Sequence, residues 1–229
     1  MLQFNPSYRH GIFLVLFAGV CWSSMGLGIR FIETANVWQI LFYRSLSLAP
    51  FLFLVIALRS GGKPFQTIRK VGVAGVIGGV ALVFAFTGGI LAIQETTVAN
   101  AMFLFAAAPF MAALLGLFIL RERVRTATWW AMVVAITGIA VMVWEGISLG
   151  HMAGNIAALI SALGFAVFTV TLRWRKVEDM MPTVFLAGVF AIIIAAAVCL
   201  SAGYSLVLPM QDILVAGSLG VFQVGAGMV

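Results

Sequence analysis

The sequence predicts an all-α membrane protein, a polytopic helical bundle of inverted five-helix repeats with the second repeat incomplete. Three observations carry that expectation. The chain is 63% hydrophobic and 9% charged, with a mean hydropathy of +1.16, and a water-soluble core of this size does not sustain such values. Its apolar residues gather into runs of about 20, the length a helix needs to cross a ~30 Å hydrocarbon core. The basic residues alternate. Arg59, Lys63, Arg69 and Lys70, then Arg121, Arg123 and Arg125, then Arg173, Arg175 and Lys176 fill every second gap, and the gaps between hold almost none. Such a bias places the basic gaps in the cytoplasm.

In order, the predicted spans are 11–31, 37–58, 71–93, 98–120, 127–144, 152–172, 180–201 and 213–229. The first follows Arg9 and His10, as the apolar part of a signal peptide would, but no small-residue cleavage site comes after it. It is therefore read as a retained helix. With the N-terminus inside, the cytoplasmic segments hold Arg9 and the three clusters, and the outer segments hold only Arg30. Close helix approach is expected along Gly75 and Gly79, along Ala108, Ala112 and Gly116, and along Gly154, Ala158, Ala162 and Ala166. Pro109 removes an amide donor and crowds the carbonyl of Phe105, so the fourth span should bend there. The last run rises only ~25 Å and stops without a basic anchor, which predicts a chain cut from a longer one. No gap is long enough for a soluble domain.

The net charge of +6 does not point to nucleic acid, because the basic residues line membrane boundaries rather than one face. Lipid headgroups are the expected partner. Cys21 and Cys199 both lie in apolar runs and are expected as buried small hydrophobes without a disulfide. There is no GxSxG, no histidine within a span and no Cys/His grouping. Hence no catalytic residue, metal ligand or cofactor is predicted.

Sliding the chain on itself by ~143 residues sets Trp22 on Phe165, Ser23 and Gly26 on Ala166 and Thr169, Arg30 on Arg173, Phe42 on Phe185 and Ser45 on Gly188. Five spans separate the copies, so the second begins on the opposite side of the membrane, as in the inverted repeats of many secondary transporters. The expected division is a first repeat over 1–146 and an incomplete second repeat over 147–229.

The stretch from Glu95 to Pro109, ETTVANAMFLFAAAP, runs into an apolar helix, then Arg121-Glu122-Arg123-Val124, then a helix containing Thr137-Gly138. It resembles the end of the first repeat in the ten-helix, EamA-type branch of the drug/metabolite transporter superfamily. Trp22-Ser23-Ser24 followed by Arg30, and Tyr43-Arg44-Ser45, also fit that pattern. The resemblance extends over essentially the whole chain, which departs from it in having about seven and a half spans. It implies a first helix that lines a central cavity, and a permease that exports or exchanges amino acids or related amphiphiles.

Seven residues are candidates for the substrate cavity. Arg44 lies ~10 Å inside the second span, where an arginine costs ~2.5–3.5 kcal/mol on insertion scales. It either holds an anionic group of the substrate or clamps backbone carbonyls. Trp22, Ser23 and Ser24 either line a site for an amphipathic molecule or, for the serines, bond their own helix. Pro109 either kinks the helix beside the site or is a structural proline. Asn100 and Phe103 lie on the same span, with a helix cap and lipid contact as their alternatives. Glu33, Glu95, Glu122, Glu145, Glu178, Asp179 and Asp212 all fall at span ends or in gaps, so no carboxylate is expected at mid-depth. The reading is a secondary transporter of a small-molecule substrate in the bacterial inner membrane; the competing one is a non-transporting helical fragment or assembly partner.

Overall fold

The computed structural model describes residues 6–122, 125–148, 151–177 and 179–227, with side chains for these except 6–10, 142 and 145–148. Arg123, Glu178 and residues 228–229 of the last run lie outside the described residues, as do the side chains of Arg9, His10 and Glu145.

Helices begin where the sequence offers the right terminators. Helix α1 (Pro6–Arg30) opens on a proline, whose missing amide costs nothing in a first turn. Helix α2 (Val37–Arg59) opens on a reciprocal cap: the Asn36 side chain accepts from the Trp38 and Gln39 amides, and the Gln39 side chain accepts from the Asn36 amide. A short α3 (Pro64–Lys70) occupies the first basic gap, which the sequence left without a helix. Then come α4 (Gly72–Glu95), α5 (Val98–Phe105), α6 (Ala108–Ile119), α7 (Thr126–Ser148), α8 (Met152–Trp174) and α9 (Met181–Ser201). Helix α10 (Met210–Ser218) continues as a π-helical segment, Leu219–Ala226.

The fourth predicted span is therefore two helices, not one bent helix. The Ala106 amide turns back to Met102 and Phe103 and the Ala107 amide to Leu104, and the chain restarts at Ala107. Pro109 sits in the first turn of α6, where its missing amide would be unpaired in any case. Among the described residues there is no strand, and six helical segments, α5 and α6 counted together as Val98–Ile119, are long and apolar enough to cross a membrane. Two further apolar helices, Thr126–Val141 and Met210–Ala226, are shorter.

Helices α4 and α8 form the centre, packed along small residues. A methyl group at Gly164 would lie 2.6 Å from the Ala81 carbonyl, and one at Gly88 2.6 Å from the Ala157 carbonyl, so the backbones touch. The row Gly154, Ala158, Ala162 and Ala166 is buried. Helix α2 lies on α9, and the π-helical segment lies on α1 and α2. Phe13, Leu58, Phe84, Phe118, Trp130, Ile193 and Leu200 are exposed around the outside, as in a lipid-facing surface.

The two ends of the bundle differ. At one end the loops are tied by hydrogen bonds. Arg30 donates to the Thr96 carbonyl (2.7 Å), Gln94 to the Ala35 carbonyl (3.0 Å), and His151 bonds the Glu95 carbonyl (3.0 Å). Gln39 and Tyr43 donate to the Ser205 and Leu206 carbonyls. The other end carries the described residues of the three basic clusters and an ion pair of Arg173 with Glu122 at 2.5 Å, both half-exposed.

Candidate functional site

A cavity of about 270 Å³ lies between α1, α2, α4, α5, α8 and the π-helical segment. Its depth follows from helix rise. Trp22, Arg44, Phe86 and Ser161 each sit ~10–14 Å from the hydrogen-bonded end of their helices, near the middle of a ~30 Å core. Trp22, Met25, Phe86, Met102, Phe105 and Phe165 make it largely apolar; Arg44, Gln223, Ser23 and Ser161 supply the polar groups.

Arg44 is the centre of this arrangement. It is 1% exposed, and its guanidinium lies 4.4 Å from the centroid of the Phe86 ring. None of its three nitrogens has a hydrogen-bond partner among the described residues. Among the described residues it clamps no backbone carbonyl. A cation–π contact offsets ~0.5–2 kcal/mol of a buried charge, which does not replace five unmade donor bonds. Gln223 is in the same condition: it is 0% exposed, and both its amide nitrogen and its carbonyl oxygen lack partners.

Close backbone packing puts these groups on one cavity. A methyl group at Gly220 would fall 2.2 Å from the Arg44 carbonyl oxygen, so only glycine lets the π-helical segment lie against α2 there. The Ser47 hydroxyl, donating to the Gly217 carbonyl at 2.7 Å, fastens the same contact. Gln223 follows within the π-helical turn, a winding frequent at functional sites.

The other sequence candidates are placed as follows. Trp22 and Ser23 line the cavity. Both neighbouring serines bond their own helix: Ser23 donates to the Gly19 carbonyl (2.8 Å) and Ser24 to the Cys21 carbonyl (2.6 Å). Ser24 lies off the cavity. So does Asn100, which bonds Thr96 (3.0 Å) and Asn155 and ties α5 to α8. Phe103 is 67% exposed on the outer surface, and Pro109 is exposed at the start of α6. Helix α5 turns Met102 and Phe105, three residues apart, to the cavity and so sets Asn100 and Phe103 on other faces, while no residue of α6 lines the cavity.

Residues not singled out by sequence complete the wall: Met25, Ala85, Phe86, Met102, Phe105, Ser161, Phe165 and Gln223. Gln223 carries a legible signal, since an unpaired amide inside an apolar run is as conspicuous as Arg44. A larger groove of about 480 Å³ between α4 and α8 is lined by Val76, Ile77, Val80, Phe84, Ile160 and other apolar residues. It offers no polar side chain to orient a ligand.

Residues 9–144 match the EamA-like transporter family. No curated protein and no solved structure matches the chain. The matched region covers more than half of the sequence and includes Trp22, Arg44, Phe86, Met102 and Phe105. Its members are membrane transporters rather than enzymes. The chain is a multi-pass membrane protein and belongs to the EamA-like transporter family.

Proposed function

We propose that this protein is a secondary transporter that exports or exchanges a small organic metabolite, an amino acid or a related amphiphile, across the bacterial inner membrane. The cavity near the middle of the bundle, holding the unpaired Arg44 and Gln223, carries this reading. Alternating access would rock a first repeat over 1–146 against a second one over 147–229. The packing supports that division. The offset of ~143 residues pairs α1 with α8, α2 with α9, and α4 with α10 and its π-helical continuation. Helix α4 packs on α8 as the π-helical segment packs on α1, and α4 packs on α9 as α10 packs on α2. The repeat partners Trp22 and Phe165 touch each other edge-on, with ring centroids 5.7 Å apart at 68°. In such a repeat, residues that meet their own partner would lie on the symmetry axis, and this pair is in the cavity wall.

The hydrogen-bonded end would be the closed outer gate, and the basic end the cytoplasmic one. Flux in vesicles reconstituted with the protein, with and without a pH gradient, tests the reading. Saturable counterflow of an amphiphilic metabolite is expected, and its absence across a panel of such compounds would sink the proposal. Single cysteines at Ala202 and Lys63, both exposed, should label from outside only at Ala202 in intact cells. The reverse pattern would invert the orientation.

A further inference from the structure

We infer that the occupant of the central cavity is a compact organic monoanion: a carboxylate on a flat apolar body, with a neutral hydroxyl or amide N–H beside it. This rests on the transporter reading only for what happens to the ligand after it binds. The charge inventory carries it. Arg44 keeps its charge in any protein environment. No carboxylate lies among the residues that line the cavity. The described wall therefore has a net charge of +1, and a single negative charge neutralises it. A dianion leaves one charge unpaired. A zwitterion, an amino acid included, leaves the wall's charge uncompensated and brings an ammonium close to the guanidinium, so of the substrates proposed above the cavity favours an anionic amphiphile.

The hydrogen-bond inventory agrees. The hydroxyl protons of Ser23 and Ser161 are already given to the Gly19 and Ala85 carbonyls, at 2.8 and 2.7 Å. The unused donors are the Arg44 fork and the Gln223 amide, and both suit a carboxylate. The free acceptors, the Gln223 carbonyl and the Ser23 and Ser161 hydroxyl oxygens, are all neutral, so none supplies the counter-charge that an ammonium needs. Aromatic faces do not substitute for it. Phe86 already has the guanidinium over its ring at 4.4 Å, and Phe165 meets both Trp22 and Phe86 edge-on. The aromatic and methionine side chains of the wall suit an apolar body that stacks on them. The cavity's ~270 Å³ lies just under the usual range of ligand pockets, about 300–1,000 Å³.

Three probes that share one apolar body decide the matter: 3-phenyllactate, phenylalanine and phenethylamine, titrated calorimetrically into the full chain in lipid nanodiscs. 3-Phenyllactate is expected to bind at least ~10-fold more tightly than phenylalanine, one charge-assisted hydrogen bond's worth, and phenethylamine not at all. Arg44→Lys, which keeps the charge but loses the fork, should weaken 3-phenyllactate by ~10-fold or more. Gln223→Leu should remove the advantage of 3-phenyllactate over 3-phenylpropionate, which lacks the hydroxyl. Equal or tighter binding of phenylalanine or phenethylamine overturns the inference, as does failure of all three to bind; the ranking in the unmutated protein needs no variant to fold. If the ranking holds but no probe crosses a vesicle, the transporter reading fails alone. If phenylalanine is carried and also binds best, the anion assignment fails alone.

Discussion

Arg44 and Asp212 are the two buried charges among the described residues, 1% and 2% exposed, and they are treated in opposite ways. Asp212 is fully served. It accepts from the Glu33 amide (3.3 Å), the Thr34 amide (3.1 Å) and hydroxyl (2.6 Å), and the Ala35 amide (3.2 Å). The loop between α1 and α2 folds onto that carboxylate and joins residues some 180 positions apart in the chain. Arg44, at mid-depth, has an aromatic face and no hydrogen-bond partner among the described residues. A charge with all its bonds made holds the fold together. One with its bonds left open costs stability, and an incoming ligand would recover that cost.

The comparison breaks most readily at Asp212. Asp212→Ala leaves three amides and a hydroxyl without their acceptor, and should lower unfolding stability in detergent by ~3 kcal/mol. A melting temperature within a degree of the unmutated protein would show that the loop is held by something else. At Arg44 the sign reverses. Arg44→Met replaces an unsatisfied buried charge by an apolar chain of similar length. Thermal stability should hold or rise by up to ~1 kcal/mol, while anion binding falls by ~10- to 150-fold. A marked loss of stability would make Arg44 a structural residue after all.

Acid sharpens the contrast with a smaller effect. Burial works against the Asp212 charge, but the Thr34 hydroxyl and the amides of Glu33, Thr34 and Ala35 prevail and hold its carboxyl below the usual carboxylate range. Its folded form thus binds a proton less readily than its unfolded form. The stabilisation is complete above the usual carboxylate range and is lost as pH falls through the lowered folded value. Melting temperatures of the unmutated protein and Asp212→Asn should therefore converge on acidification. A gap that stays constant would place the effect elsewhere.

Sequence exposes these two charges unequally. Arg44 stands out because no apolar run carries a guanidinium without reason. Asp212 does not, since it sits at a span boundary, where carboxylates are commonplace. Nothing local reveals that residues 33–35 will close over it. Spans were legible from composition, and the break at Ala106–Ala107 only in part. Pro109 marks its neighbourhood, but a proline in a first turn and one that bends a continuous helix look alike in sequence. That ambiguity carried Asn100 and Phe103 into the candidate site; the first instead holds α5 to α8 and the second faces outward. The repeat offset set Trp22 on Phe165 and the rings do meet, whereas Phe86 gives no sign in the sequence of its place beneath Arg44.

The winding of Leu219–Ala226 bears on how the chain tolerates a lost residue. A π-helical turn contains about one residue more than an α-helical turn. Deleting one residue between Val221 and Val224 leaves enough chain to rewind as α-helix between the same two anchors, Gly220 on the Arg44 carbonyl and Gly227 beside the Trp22 indole. The same deletion within α4 has no such slack. It turns every later residue by ~100° and pulls Gly88 off the Ala157 carbonyl. One segment of the cavity wall can thus shorten and still connect, while its neighbour cannot.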